Sequence, residues 1–202
     1  MKKYISVALC IFLSFSLSAQ EIDESGGPLH DAARAMRDRR YREAEEIYRS
    51  ILRQTPGDVS VNQMLCHALI CENKFLEADS SLRRMVEADS NNIGNYWYMG
   101  LSAGTQNIDS VAIVCYKTYL RKSENNPNQK VKAWLYVGSS FRRIMHKQGL
   151  SRTQFDDMLF YYKRYLKLNP NDVYAGEVQK FIDSVSPKRP EEGAILMWDE
   201  TN

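Results

Sequence analysis

Apolar residues recur along the body of this chain at intervals of three and four. Ala44, Ile47, Tyr48, Ile51 and Leu52 fall this way, as do Phe75, Ala78, Leu82, Met85 and Val86. That spacing puts each set on one face of an amphipathic α-helix, and strand-like alternation is absent. Helix breakers separate the runs: Thr55-Pro56-Gly57-Asp58, Asp89-Ser90-Asn91-Asn92, Asn125-Asn126-Pro127-Asn128 and Asn169-Pro170-Asn171-Asp172. Their Asp and Asn are placed to cap the following helix by accepting hydrogen bonds from its free N–H groups. Val173 to Val185 predicts one more helix, with Val178, Phe181, Ile182 and Val185 on one face and Glu177, Lys180 and Asp183 facing away. Ser186-Pro187-Lys188-Arg189-Pro190 stops it.

The runs repeat. Tyr41, Ala44 and Tyr48 return 34 residues later as Phe75, Ala78 and Leu82, and again as Asp109, Ala112 and Tyr116. The first slot of the third copy is irregular, since either Asp109 or Ile108 can fill it. Leu65-Cys66 likewise returns as Met99-Gly100. A fourth copy is displaced: Trp134, Val137, Gly138 and Phe141 form its first half, and Phe155, Met158, Tyr162 and Tyr165 its second. Gly138 lies 38 residues after Gly100, whereas Tyr162-Lys163-Arg164-Tyr165-Leu166 repeats Tyr116-Lys117-Thr118-Tyr119-Leu120 at a distance of 46. The fourth unit therefore holds about eight extra residues near His146 to Thr153, which either lengthen its first helix or delay its second.

On these motifs the chain resembles the tetratricopeptide repeat (TPR) family, which repeats 34 residues as helix–turn–helix with W-x2-L-G-x2-Y, A-x3-F and a closing Pro. Trp134-x2-Val137-Gly138-x2-Phe141 and Tyr96-x2-Met99-Gly100-x2-Ala103 carry the first half. Ala44-x3-Tyr48, Ala78-x3-Leu82 and Ala112-x3-Tyr116 carry the second; Pro56 and Pro170 fill the closing slot, and Ser90 occupies it in the second copy. The first copy departs, with Asp31-Ala32 where Leu-Gly is usual. The resemblance covers about residues 25–185 and implies an all-α fold of about nine helices. These would form a right-handed TPR-type α-solenoid of about four helix-turn-helix repeats with a C-terminal capping helix. Small residues would let paired helices approach closely while aromatics fill the space between units. The implied organisation is a signal peptide over 1–19, a linker over 20–28, the solenoid with its cap over 29–185, and a flexible tail over 186–202.

Charge and composition narrow the function. The chain carries 27 Lys+Arg against 25 Asp+Glu. Met1-Lys2-Lys3, the apolar run Ile5–Leu17 and the small residues of Ser16-Leu17-Ser18-Ala19-Gln20 have the layout of a secretory signal peptide cut after Ala19. An uncleaved anchor is the competing reading, but the run is shorter than the about 20 apolar residues of a spanning helix. Cleavage would remove Lys2 and Lys3 and no acid, leaving 25 bases against 25 acids. That balance gives no support to nucleic-acid binding. The expectation is a secreted protein, in a bacterial periplasm, with no transmembrane segment in the mature chain. Cys10 would leave with the signal, so Cys66, Cys71 and Cys115 remain as an odd set of small core residues. Cys66 and Cys71 diverge by about 140° on one helix and cannot bond together there.

Reactive constellations are missing. His30, His67 and His146 are the only histidines, and no H-E-x-x-H, G-x-S-x-G or phosphate-binding glycine loop occurs. Glu43, Glu45 and Glu46 read as acids at a helix start, and the Arg34 to Arg42 cluster as a charged turn. No enzyme, cofactor, metal or catalytic residue is expected. The remaining classes are a protein- or peptide-binding scaffold and a self-associating component of an envelope assembly. The TPR resemblance implies a concave groove lined by first helices: Gln63, His67 and Ile70, then Trp97 and Leu101, then Leu135, Ser139 and Arg142. It lacks the family's Lys-and-Asn arrangement for a C-terminal carboxylate. An apolar peptide with an acidic flank would suit it better. The chain's own Ala194-Ile195-Leu196-Met197-Trp198-Asp199-Glu200 has that form. It either docks in a groove, its own or a neighbour's, with self-association as one consequence, or hooks a separate partner. A disordered tail is the alternative.

Overall fold

The computed structural model describes residues 26–123 and 127–198. The expected signal peptide and most of the expected linker lie outside the described residues, as do Asp199 to Asn202. The fold is all-α, with nine α-helices among the described residues: α1 (Pro28–Arg37), α2 (Tyr41–Gln54), α3 (Val59–Cys71), α4 (Phe75–Ala88), α5 (Ile93–Thr105), α6 (Asp109–Lys122), α7 (Pro127–Gln148), α8 (Arg152–Leu168) and α9 (Ala175–Val185). Two short strands, β1 (Leu150–Ser151) and β2 (Ile195–Leu196), pair antiparallel. The chain forms two compact units, the first ending at Ala88 and the second beginning at Asp89. Within the first, α1 packs on α2, α2 on α3 and α3 on α4; within the second, α5 packs on α6 and so on in order to α9. No helix among the described residues is long and apolar enough to cross a membrane.

The 34-residue period is written into the backbone. Arg39, Asn73 and Asn107 all adopt left-handed φ, at 61°, 61° and 59°. Each closes a first helix the same way. The N–H of the next residue reaches back to a carbonyl five residues earlier at 2.8 Å: Arg40 to Ala35, Lys74 to Leu69, Ile108 to Ala103. This paired-bond terminus satisfies carbonyls that the helix end would otherwise orphan. Two of the expected caps are present: the Asp58 side chain accepts from the Val61 N–H at 3.0 Å, and Asn92 from the Gly94 N–H at 3.1 Å. The start of α9 has no side-chain cap, and Asp172 accepts from the Tyr174 N–H at 3.0 Å. Ala44, Ala78 and Ala112 are fully buried, as close helix crossing at those positions requires.

Size is traded between paired helices. Gly100 and Gly138 lie so close to Tyr116 and Tyr162 that an added Cβ would sit 2.8 Å and 2.6 Å from the rings. One period before Gly100 and Tyr116, the corresponding residues are Cys66 and Leu82, a larger residue matched with a smaller one; both are fully buried.

The third copy's irregular slot belongs to Asp109, which begins α6 as Tyr41 begins α2 and Phe75 begins α4. Asp109 is buried, and Ile108 is exposed. A buried carboxylate needs partners. Arg143 Nε donates to Asp109 Oδ1 at 2.6 Å and Lys147 Nζ to Oδ2 at 2.8 Å. Both cations come from the last turns of α7. The inserted residues therefore go partly into a long first helix: α7 has 22 residues, against 13 in α3 and α5. The rest form the Gly149 turn and β1. Ser151 then caps α8 through a reciprocal exchange with Gln154.

Candidate functional site

The eight first-helix residues divide between the units. On α3, Ile70 is buried, while Gln63 and His67 are half-buried. Loss of water around the His67 ring pushes its pKa down to about 4, so the imidazole is neutral at physiological pH.

In the second unit Trp97 is only 7% exposed. Its ring meets Tyr116, Tyr119 and Tyr136 at centroid distances of 5.6, 5.4 and 5.7 Å. It thus belongs to the inter-helix packing, because the small Gly100 draws the Tyr116 ring in and the indole fills the space beside it. Leu135 is buried too; Leu101 and Ser139 are half-buried. Ser139 Oγ accepts from the Tyr162 hydroxyl at 3.4 Å. Arg142 is drawn to α9: Nη1 donates to Glu177 at 3.1 Å, and the guanidinium stands 4.3 Å from the Phe181 ring centre. Arg142, the one cation among the expected groove residues, is therefore already partnered. Of the eight, Gln63, His67, Leu101, Ser139 and Arg142 keep partial exposure.

Titratable groups do converge at one place in the first unit. Glu45 is buried on α2 and takes Arg49 Nε at 2.7 Å and the Lys74 ammonium at 2.5 Å. Burial raises its pKa, but the bonds from Lys74 and Arg49 outweigh that and hold it down to about 2. Glu72, at the end of α3, pairs with Lys74 at 3.0 Å, yet its other oxygen is buried without a partner. Burial, then the neighbouring Glu45, raises the Glu72 pKa. An open depression of about 490 Å³ beside it is lined by Arg39, Arg40, Tyr41, Arg42, Glu43, Glu46 and Glu72. Arg40 pairs with Asp38 and Glu43, and Arg42 with Glu46. These ion pairs compensate one another and lie at a helix junction. Among the described residues no group of His, Cys, Asp and Glu is arranged to hold a metal ion.

Three features escaped the sequence reading. Trp134, Phe160 and Tyr161 form an aromatic cluster with centroids 5.2 to 5.8 Å apart, and Phe160 is 56% exposed. Tyr161 is half-buried, because α8 presents its 160–161 edge outward and Tyr162 and Tyr165 inward. The only available signal was Phe160 falling outside the spacing of Phe155, Met158, Tyr162 and Tyr165. The second feature is Asp109 with its two cations, foreshadowed only by the failed slot. The third is the seat of residues 186–198. They form a 3-10 turn (Ser186–Lys188), then an ion pair in which Arg189 Nε donates to Asp156 at 2.7 Å, and then β2. No protein-family model and no curated protein matches the sequence.

Proposed function

We propose that the chain is a non-enzymatic scaffold of the bacterial cell envelope. It would bind a protein or peptide on the concave face of a TPR-type solenoid. The observation that carries this reading is the repetition of one local design: a left-handed turn residue at 39, 73 and 107, each followed by the same back-bond at 2.8 Å. Copies of one helix pair present their first helices in the same local setting, and stacked repeats of this kind are used as extended binding surfaces. Glu45, Lys74, Asp109, Arg142 and Arg143 are held in ion pairs within and between helices, a setting that suits a scaffold. The export signal at residues 1–19 supports the envelope.

A photo-crosslinking residue placed in turn at Gln63, Leu101 and Ser139, and at the second-helix positions Arg84 and Lys163, tests the face. The three first-helix sites should yield a common crosslinked partner in the periplasm, and the other two should not. Equal capture from both sets, or capture from the second set alone, would reject the groove. Mass spectrometry of the exported chain should find Gln20 at its N-terminus.

A further inference from the structure

Two departures from the 34-residue pattern lie far apart in sequence and meet in the fold: the inserted residues between α7 and α8, and the segment after α9. Leu196 pairs with Leu150, and Ile195 with Ser151. Exposure alternates along this strand. Ile195 and Met197 are 66% and 61% exposed, while Leu196 and Trp198 are turned in and half-buried. Trp198 is held at its backbone and its ring. Its N–H donates to the Met145 carbonyl at 3.4 Å, and its carbonyl oxygen lies 2.8 Å from His146 Nδ1. The indole stands edge-on to Phe181 at 6.3 Å, with the Lys188 ammonium 4.4 Å from its ring centre. Gly149 lies under the strand, on the side of its outward pair. Its φ is +82°, and a Cβ there would lie 2.3 Å from Ile195 Cγ2, 3.0 Å from Met197 Cγ and 3.1 Å from the Leu196 carbonyl oxygen. A residue with a side chain would be strained at this φ and would push the strand away.

This is how a bound peptide is held, rather than how a core is built. In strand addition main-chain bonds supply affinity, and every second side chain enters the protein and supplies specificity. Here Leu196 and Trp198 enter, and Ile195 and Met197 contribute little buried surface. We propose that the seat made by Met145, His146, Gly149, Leu150, Phe181 and Lys188 is a peptide-binding site. Its ligand is an extended segment of Leu-x-Trp pattern, and the chain's own tail is its tethered occupant. The site lies at the C-terminal end of α7, beyond the expected groove residues, and does not rest on the groove's role. A two-stranded ribbon this short is marginal by itself. The tether supplies an effective concentration of about millimolar order. A partner's segment therefore competes best once the tail is released.

The test keeps the full chain. Leu196→Asp with Trp198→Ala vacates the seat, and the probe is a fluorescein-labelled peptide of residues 193–202. Anisotropy should show saturable binding to this variant, at least tenfold tighter than to the intact chain. Binding should fall at least tenfold when Gly149→Val or His146→Ala is added, and a peptide with Ala in place of Leu and Trp should not bind. Trp198→Ala alone serves if the double variant loses its helical circular dichroism. No saturable binding to a helical, tail-released chain would overturn the proposal, as would binding indifferent to both Gly149→Val and His146→Ala. A concentration-dependent dimer of the intact chain that Trp198→Ala abolishes would also overturn it, by making a second copy's tail the occupant.

Discussion

Adding one methyl group at Gly100, Gly104 or Gly138 should have opposite effects depending on the ring beside it. All three glycines are helical, and alanine in a helix is favoured over glycine by roughly 1 kcal/mol. At Gly104 the nearest atoms to a new Cβ, on Ala112 and Arg143, are both 3.9 Å away. That is ordinary contact, so Gly104→Ala should stabilise by up to about 1 kcal/mol. At Gly100 the Cβ would meet three atoms of the Tyr116 ring at 2.8 to 2.9 Å, and at Gly138 the Tyr162 ring at 2.6 to 2.9 Å. Carbon atoms prefer about 3.5–4.0 Å, so ring or helix must retreat by roughly 1 Å. Tyr116 cannot do so freely, since Trp97 and Tyr136 stand at 5.6 and 5.3 Å from it. Overpacking of this kind costs about 1–3 kcal/mol. After the helix gain is subtracted, Gly100→Ala and Gly138→Ala should each destabilise by up to about 2 kcal/mol, and stand about 1–3 kcal/mol below Gly104→Ala.

The remedy is visible one period upstream, where the corresponding residues are Cys66 and Leu82. Gly100→Ala combined with Tyr116→Leu should therefore lose at least about 1 kcal/mol less than the two single changes together. Urea unfolding followed by tryptophan fluorescence reads this directly, because Trp97, Trp134 and Trp198 all belong to the second unit. Gly100→Ala as stable as Gly104→Ala, or strict additivity in the cycle, would refute the close approach and the register built on it.

Other expectations follow from named contacts. Arg39 holds the left-handed turn position that Asn fills at 73 and 107, and that conformation costs a residue with a Cβ about 1 kcal/mol. Arg39→Gly should raise the first unit's urea midpoint, with a gain of roughly 0.5–1 kcal/mol. An unchanged or lower midpoint would count against the turn. Asp109→Ala strands Arg143 and Lys147 beside an emptied buried site. It should cost about 2–3 kcal/mol, below the full value for a buried pair because both cations reach solvent. The pH dependence of the first unit should carry the mark of Glu45, whose folded pKa of about 2 lies below its ordinary 4.5. A depressed carboxyl contributes stability that is complete above about pH 4.5 and lost as pH falls toward 2. Glu72, shifted upward, acts in the opposite sense and blunts the upper part of that fall. Far-UV circular dichroism during acid titration should show Glu45→Gln less stable at pH 7, with a flatter decline in acid. An unchanged slope would remove the pair from the acid response.

What the sequence could reveal follows from how each contact is encoded. Helix periodicity, caps and the small-to-large pairing are set by residues within one helix pair, and they recur, so each copy confirms the others. Ala44, Ala78 and Ala112 were legible for that reason. Contacts made once have no second copy to expose them. The groove residues were assigned by analogy of position, and position does not say which side a neighbour's ring will take. Trp97 is turned inward by Tyr116 over Gly100, and Arg142 is drawn onto Phe181 and Glu177 of the single capping helix. The failed slot at Asp109 and the extra residues after His146 looked like separate irregularities, yet they are one arrangement. The extended end of α7 brings Lys147 to the buried carboxylate beside Arg143, and the same extension ends in the Gly149 turn on which the tail lies. A departure from a repeat is informative because the repeat cannot account for it. The residues that break this pattern gather at the end of α7, and that is also where the molecule departs from simple helix-on-helix packing.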